Sequence, residues 1–112
     1  MKRITAVFYR TSAGGEPVRQ WLKKMAKQDR QIVGEDIATA EYGWPIGMPI
    51  CRKIASRKDL WEIRSDLSDN RISRVLFTVT KGQMVLLHGF IKKTEKTEDR
   101  ELDLAMKRKK EL

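Results

Sequence analysis

The stretch Met84-Val85-Leu86-Leu87 decides how the second half of the chain folds, because it is apolar at four consecutive positions. Successive residues of a strand point to opposite faces of a sheet, so a strand with apolar side chains on both faces must be covered on both faces. The pattern predicts a central strand over 84–91. The connection Thr80-Lys81-Gly82-Gln83 contains a glycine that can adopt positive φ, and it predicts an antiparallel hairpin with a strand over 72–79.

Two more strands are expected, over 4–9 and 60–64, where β-branched and aromatic residues are frequent. Between them, Pro17 suits the first turn of a helix, and an apolar stripe at helical spacing follows it: Val18, Trp21, Leu22 and Met25. Asp29 is expected to cap a second helix through about Glu41, with Gly43 as its stop, so that the two helices form a hairpin.

A last helix is expected after Thr97, its expected cap, with acidic residues in its first turn and the basic run 107–110 in its last turn. The predicted order is β-α-α-β-β-β-α, an α+β fold in which the helical hairpin packs on a small antiparallel or mixed sheet. At 112 residues the chain has the length of one domain, 1–112.

The charge of the chain indicates its class of partner. It has 24 basic and 15 acidic residues, a formal net charge of +9, which favours encounter with a polyanion such as nucleic acid. No apolar run has the length of a membrane helix and the start lacks the apolar core of a signal peptide, so a cytoplasmic, soluble protein without a membrane partner is expected. One cysteine and one histidine are too few for an intrachain disulfide or a Cys/His zinc site.

Basic side chains occupy positions within the predicted strands where a purely structural core would have apolar residues. Alternation places Arg64 on one face with Glu62, Arg74 with its apolar neighbours Ile72 and Leu76, and His88 with Leu86 and Phe90. If these strand faces converge, the following side chains would form a cationic pocket suited to a phosphodiester: Arg64, Arg74, His88, and Lys92 or Lys93. Taken singly, a strand arginine beside a glutamate is more often an ion pair, and a lone histidine is more often a half-buried core residue.

Three stretches together resemble a known family: Leu60-Trp61-Glu62-Ile63-Arg64, Arg74-Val75-Leu76-Phe77, and Leu86-Leu87-His88-Gly89-Phe90-Ile91-Lys92-Lys93-Thr94, followed by Lys96-Thr97. They are similar to the HigB-like branch of the RelE/ParE toxin superfamily, which includes phage-derived members. The resemblance implies a RelE/ParE-like fold and the toxin of a type II toxin-antitoxin system. Such a toxin is commonly a ribosome-dependent endoribonuclease that cleaves mRNA and inhibits translation.

The resemblance also implies a mechanism. A 2′-hydroxyl attacks the adjacent phosphodiester, basic side chains stabilise charge and transfer protons, and neither a metal nor another cofactor is required. Arg64 and Arg74 match the family's strand arginines, and Lys92 and Lys93 match its lysine pair. RNA-binding roles are expected for further basic residues: Arg52, Lys53, Arg57, Lys58 and Lys96.

Within this pocket, the arginines are expected to hold the scissile phosphate and stabilise the transition state. His88 is the natural proton shuttle if it is accessible. If it is buried, Lys92 or Lys93 would act as base or acid with a lowered pKa. Glu62 could orient an arginine or act as the base.

The superfamily is mechanistically mixed, so two alternatives stay open: a ParE-like inhibitor of DNA gyrase and a non-catalytic RNA-binding module. The expected partners are mRNA on the ribosome and a cognate antitoxin, a helix-turn-helix protein encoded in the adjacent reading frame. Operator DNA could be bound indirectly, through the complex with the antitoxin.

Overall fold

The computed structural model describes residues 1–92 and 98–112, and every structural statement below concerns these residues. The fold is α+β, with a five-stranded mixed sheet in the order β1-β5-β4-β3-β2. Only β1 and β5 run parallel; the other pairs are antiparallel. The elements in chain order are β1 (Thr5–Phe8), α1 (Pro17–Lys23), α2 (Lys27–Gly43), β2 (Cys51–Lys53), β3 (Trp61–Asp66), a 3-10 turn (Ser68–Asn70), β4 (Ile72–Thr80), β5 (Gln83–Ile91) and α3 (Asp99–Lys110).

The expected central strand is confirmed, because β5 lies between β1 and β4 and is covered on both faces. Met84 and Leu86 join the core under the helical hairpin, while Val85 and Leu87 join a second core under α3. The hairpin is also confirmed: Thr80 pairs with Gln83, and the two residues of the turn between them both have positive φ. Two consecutive positive φ angles match the twist of antiparallel strands, which explains the short connection.

The helical hairpin covers one face of the sheet as its apolar stripe predicts. Val18 and Leu22 are buried, and Trp21 packs against the same core. The expected cap at Asp29 is wrong, since α2 begins at Lys27 with Ala26 in the N-cap position. The Asp29 carboxylate instead accepts hydrogen bonds from the 3-10 turn and from Arg71, and these partners outcompete the first turn of its own helix.

The last helix, α3, packs on β4 and β5 through Leu102 and Ala105, which are buried. It begins at Asp99 with Glu98 in the N-cap position, and Thr97, the expected cap, lies outside the described residues. None of the helices in the described part of the chain is both long and apolar enough to cross a membrane.

A bulge in β5 changes which residues share a face. Leu76 pairs with His88 and Phe77 pairs with Leu86, so Leu87 is an extra residue in β5. After such a bulge, the side chains of the strand point to the face opposite to the one that simple alternation from the preceding residues would give. The expectation that His88 shares a face with Leu86 is therefore wrong, because Leu86 belongs to the core under the hairpin while Phe90 belongs to the core under α3.

Candidate functional site

Two arginines lie side by side on the sheet face that α3 covers in part. Arg64 of β3 and Arg74 of β4 are direct partners in the antiparallel register. Directly opposed residues of such a pair have Cβ atoms about 4.5 to 5.5 Å apart, and like charges at that separation repel. The arrangement therefore requires a compensating negative charge nearby.

Glu62 supplies this charge. It is 1% exposed and forms ion pairs with both Arg74 and Arg52 through the same carboxylate oxygen, Oε1. Arg52 is the register partner of Glu62 on β2, so the neighbouring edge strand brings a third guanidinium to the carboxylate. Arg74 is 5% exposed in its side chain and Arg52 is 48% exposed. One buried carboxylate thus orients one buried and one accessible arginine.

Both opposed arginines keep an unused donor. The Nε atoms of Arg64 and Arg74 are buried and make no hydrogen bond with any described residue. Arg64 is otherwise paired only loosely, with 3.6 Å between its Nη2 and the Oδ1 of the exposed Asp66. Burying an N–H without a partner costs about 1 to 3 kcal/mol. Of the two side chains, Arg64 is 37% exposed and can reach an external oxyanion, and the buried Arg74 lies directly beside it in the register.

The end of β5 places an aromatic and a basic residue beside the two arginines. Phe90 is the register partner of Arg74, and the backbone N–H of Lys92 donates to the carbonyl oxygen of Ile72 at 2.7 Å. Because alternation continues past the strand end, Lys92 follows Phe90 on the arginine face. The expected catalytic residue Lys93 and the expected RNA-binding residue Lys96 lie outside the described residues.

His88 lies farther under α3 than the arginines do. Its Nε2 is 3.0 Å from Oε1 of Glu101 on α3, its side chain is 14% exposed, and its ring stacks on Phe90 with 5.4 Å between the ring centres. Burial lowers the pKa of His88, and the hydrogen bond to Glu101 opposes this shift. The accessibility that a proton shuttle requires is therefore low for His88.

The expected RNA-binding residues divide into free and engaged groups. Lys53 and Lys58 are exposed, and Lys53 Nζ lies 5.4 Å from the centre of the Trp61 ring. Arg57 is 22% exposed, and its Nη2 lies 3.4 Å from Asp99 and 3.0 Å from Asp103. Arg57 therefore ties the loop before β3 to α3, while Lys53 and Lys58 remain available to a phosphate backbone.

Residues 20–110, from α1 to the last turn of α3, match the family described as phage-derived protein Gp49-like (DUF891). The chain belongs to the Gp49-like family. None of the curated proteins matches it.

Part of the site of this Gp49-like protein was not foreseen from the sequence. Arg52 was expected to bind RNA but not to share Glu62 with Arg74, because β2 was not predicted. A strand of three residues with one buried position, Cys51, gives too short an alternation to be recognised. In the described part of the chain, no group of three or more His, Cys, Asp and Glu side chains is arranged to hold a metal ion.

Proposed function

We propose that this Gp49-like protein is the toxin of a type II toxin-antitoxin system and a ribosome-dependent endoribonuclease that cleaves mRNA. The observation that carries the proposal is the pair Arg64 and Arg74, opposed in register, each with a buried Nε that no described residue accepts from. Two further points support it. Gp49-like proteins are associated with toxin-antitoxin systems, and the strand sequences resemble the HigB-like branch of the RelE/ParE superfamily.

The proposed reaction is transesterification. The 2′-oxygen attacks the adjacent phosphorus, the bond from phosphorus to the 5′-oxygen breaks, and a 2′,3′-cyclic phosphate and a 5′-hydroxyl result. One proton leaves the 2′-hydroxyl and another reaches the departing 5′-oxygen. Arg64 and Arg74 donate to the phosphoryl oxygens, whose negative charge increases in the transition state, and the lysines at the end of β5 transfer the protons. Glu62 holds Arg74 in place through their ion pair.

The same geometry supports the proposed dependence on the ribosome. The arginine face stabilises charge, but the histidine is held under α3 by Glu101, so His88 is not placed beside the arginines to take the proton of the 2′-hydroxyl. A ribosome-bound mRNA presents its phosphodiester in a fixed conformation, which supplies the positioning that the protein alone lacks. We therefore expect cleavage of ribosome-bound mRNA and little cleavage of naked transcript. Equal cutting of both, with one site pattern, contradicts this step.

The decisive variant is Arg64→Ala. Because Arg64 is 37% exposed and paired only with the exposed Asp66, its loss should leave the fold intact. Loss of one transition-state donor typically lowers the rate by about 10² to 10³. The matched control is Arg19→Ala, an exposed arginine of α1 whose partner is Glu16 at 3.4 Å. We expect mRNA cleavage and growth arrest to disappear with the first variant and persist with the second; a fully active Arg64→Ala protein rejects the site.

The gyrase alternative makes a different prediction in cells. After induction without antitoxin, an endoribonuclease of this kind stops leucine incorporation first, whereas a gyrase inhibitor stops thymidine incorporation first. Pulse labelling with both precursors separates the two. The non-catalytic alternative, an RNA-binding module, would bind ribosomes and leave the mRNA uncut.

We propose a cognate antitoxin as the protein partner, a helix-turn-helix protein encoded in the adjacent reading frame that covers the arginine face. Operator DNA would be bound by the complex through the antitoxin. Coexpression with that neighbour should restore growth, and failure to restore it would reject the pairing.

A further inference from the structure

A cavity lies on the hairpin face of the sheet, beside the end of β5. Its volume is about 320 Å³, and Trp21, Met25 and Ile91 form its apolar wall. Lys24, Asp29 and Arg71 form the polar part. Small-molecule sites commonly have volumes of about 300 to 1,000 Å³ and combine an apolar lining with a few polar groups. The cavity matches this description at the lower end of the range.

The aromatic wall is held in place by a glycine. An ideal Cβ at Gly89 would lie 2.4 Å from Cε3 of Trp21, so only glycine lets the indole lie directly on the backbone of β5. Trp21 is partly exposed and packs against the hairpin core. A ring seated in this way presents a fixed surface on which a planar group can stack.

The polar part of the cavity carries net positive charge. Asp29 is 4% exposed and paired with Arg71, and the Nε of Arg71 also donates to the carbonyl oxygen of Ser68 at 3.1 Å. The Arg71 side chain nevertheless remains 41% exposed. Lys24 is exposed, and the carboxylate in the cavity lining, that of Asp29, is paired with Arg71. The chemistry is that of an aromatic surface next to two cations, which suits a nucleobase with its phosphate.

The cavity and the arginine face lie on opposite faces of the sheet at the same end of β5. Ile91 lines the cavity, and the next residue, Lys92, follows Phe90 on the arginine side. Arg71 similarly precedes β4, three residues before Arg74. A strand advances about 3.3 Å per residue, so about 10 Å of strand separates these two arginines. That distance is comparable with one or two nucleotides of extended single-stranded RNA.

We infer that the cavity is a subsite for a base of single-stranded RNA flanking the phosphodiester held by Arg64 and Arg74. Trp21 stacks on the base, and Lys24 and Arg71 bind the phosphate of that nucleotide. The inference rests on the proposed function, because the scissile phosphate anchors the RNA that crosses the strand end. It adds a second contact area, which would give the enzyme a preference among the bases beside the cleavage site.

Two neighbouring lysines at the end of α1 provide the test. Lys24 lines the cavity, whereas Lys23 is exposed and does not. Lys24→Glu and Lys23→Glu change the net charge equally. The probes are adenosine 5′-monophosphate and an uncleavable 2′-O-methyl hexanucleotide, with binding followed by tryptophan fluorescence of the full chain. We expect Lys24→Glu to weaken binding about tenfold more than Lys23→Glu, and Trp21→Phe to remove most of the quenching. Equal binding by the two lysine variants overturns the subsite.

Further arms separate this inference from the nuclease proposal. Monophosphate binding that persists in Arg64→Ala supports a subsite distinct from the arginine pair, and its loss there overturns the subsite. If RNA is never cut but monophosphate binding still depends on Lys24, the subsite stands and the nuclease fails. If cutting depends on Arg64 while the lysine variants bind alike, the subsite alone fails. Methyl resonances of Met25 and Ile91 that move only when antitoxin is added would reassign the cavity to a protein partner.

Discussion

The two faces of the sheet bury different chemistry. Under the helical hairpin, Ile63, Val75 and Phe77 are fully buried, and Phe77 lies 5.7 Å from Trp44 and 6.1 Å from Trp61 between ring centres. On the opposite face, the same strands bury Glu62 and Arg74. Apolar burial stabilises a fold outright, whereas a buried ion pair must first recover its cost of desolvation. The comparison shows that the hairpin face of these strands buries apolar side chains, whereas the opposite face combines the apolar core under α3 with a buried ion pair.

The largest effect is expected from Glu62→Ala. It leaves Arg74 buried without its carboxylate and should lower the free energy of unfolding by about 3 to 5 kcal/mol, as measured by urea denaturation. It should also abolish mRNA cleavage, because Arg74 and Arg52 lose their common partner. A loss below about 1 kcal/mol would mean that the pair is solvated and that the two faces do not differ in this respect.

A double replacement serves as the control for that variant. Glu62→Leu with Arg74→Met removes both charges at similar volume, so stability should return to near the original value. Cleavage should remain absent. Restored cleavage would show that neither charge belongs to the site.

A loss of similar size is expected on the hairpin face from Phe77→Ala. Removing a fully buried phenylalanine side chain costs about 3 to 5 kcal/mol. Below the melting temperature, however, the remaining folded protein should cleave ribosome-bound mRNA at an unchanged rate, because Phe77 faces away from the arginines. If folded Phe77→Ala protein cleaved mRNA more slowly, the two faces would be coupled and the comparison between them would be weakened.

A smaller effect is expected from Gly89→Ala, which acts where β5 meets α1. The added methyl must displace the Trp21 ring, and overpacking of this kind typically costs about 1 to 3 kcal/mol. Thermal melting measures the loss. Gly34→Ala is the matched control, because nothing lies within 4 Å of a Cβ at that helical position, and it should be neutral or stabilising.

The smallest effect is expected from the pH dependence at His88. Burial lowers its pKa below the ordinary value, so the unfolded chain binds this proton more readily than the folded one. The contribution of neutral His88 to stability is present above a pH of about 6.5 and is lost as the pH falls below that value. In His88→Gln, the midpoint of urea denaturation should change less between about pH 7.5 and 5.5 than in the original protein. An equal change in both proteins would contradict a contribution from His88.

Much of the fold was predictable because it depends on local periodicity. The stripe from Val18 to Met25 predicts a helix with one buried face, and the apolar run from Met84 to Leu87 predicts a strand covered on both faces. Alternation likewise placed Arg64 beside Glu62 on one strand face. These inferences need only neighbours within about seven residues, which the sequence displays directly.

Other features depend on contacts between distant segments. The sequence indicated the elements, their order, the positive charge and the strand positions of the arginines. Only the tertiary structure decided that Arg52 and Arg74 share one carboxylate, that Asp29 binds Arg71 instead of capping α2, and that Trp21 lies on Gly89. The physical reason is that hydrogen bonding and burial depend on which partner is nearest in space. In each of these cases that partner comes from another element of the fold.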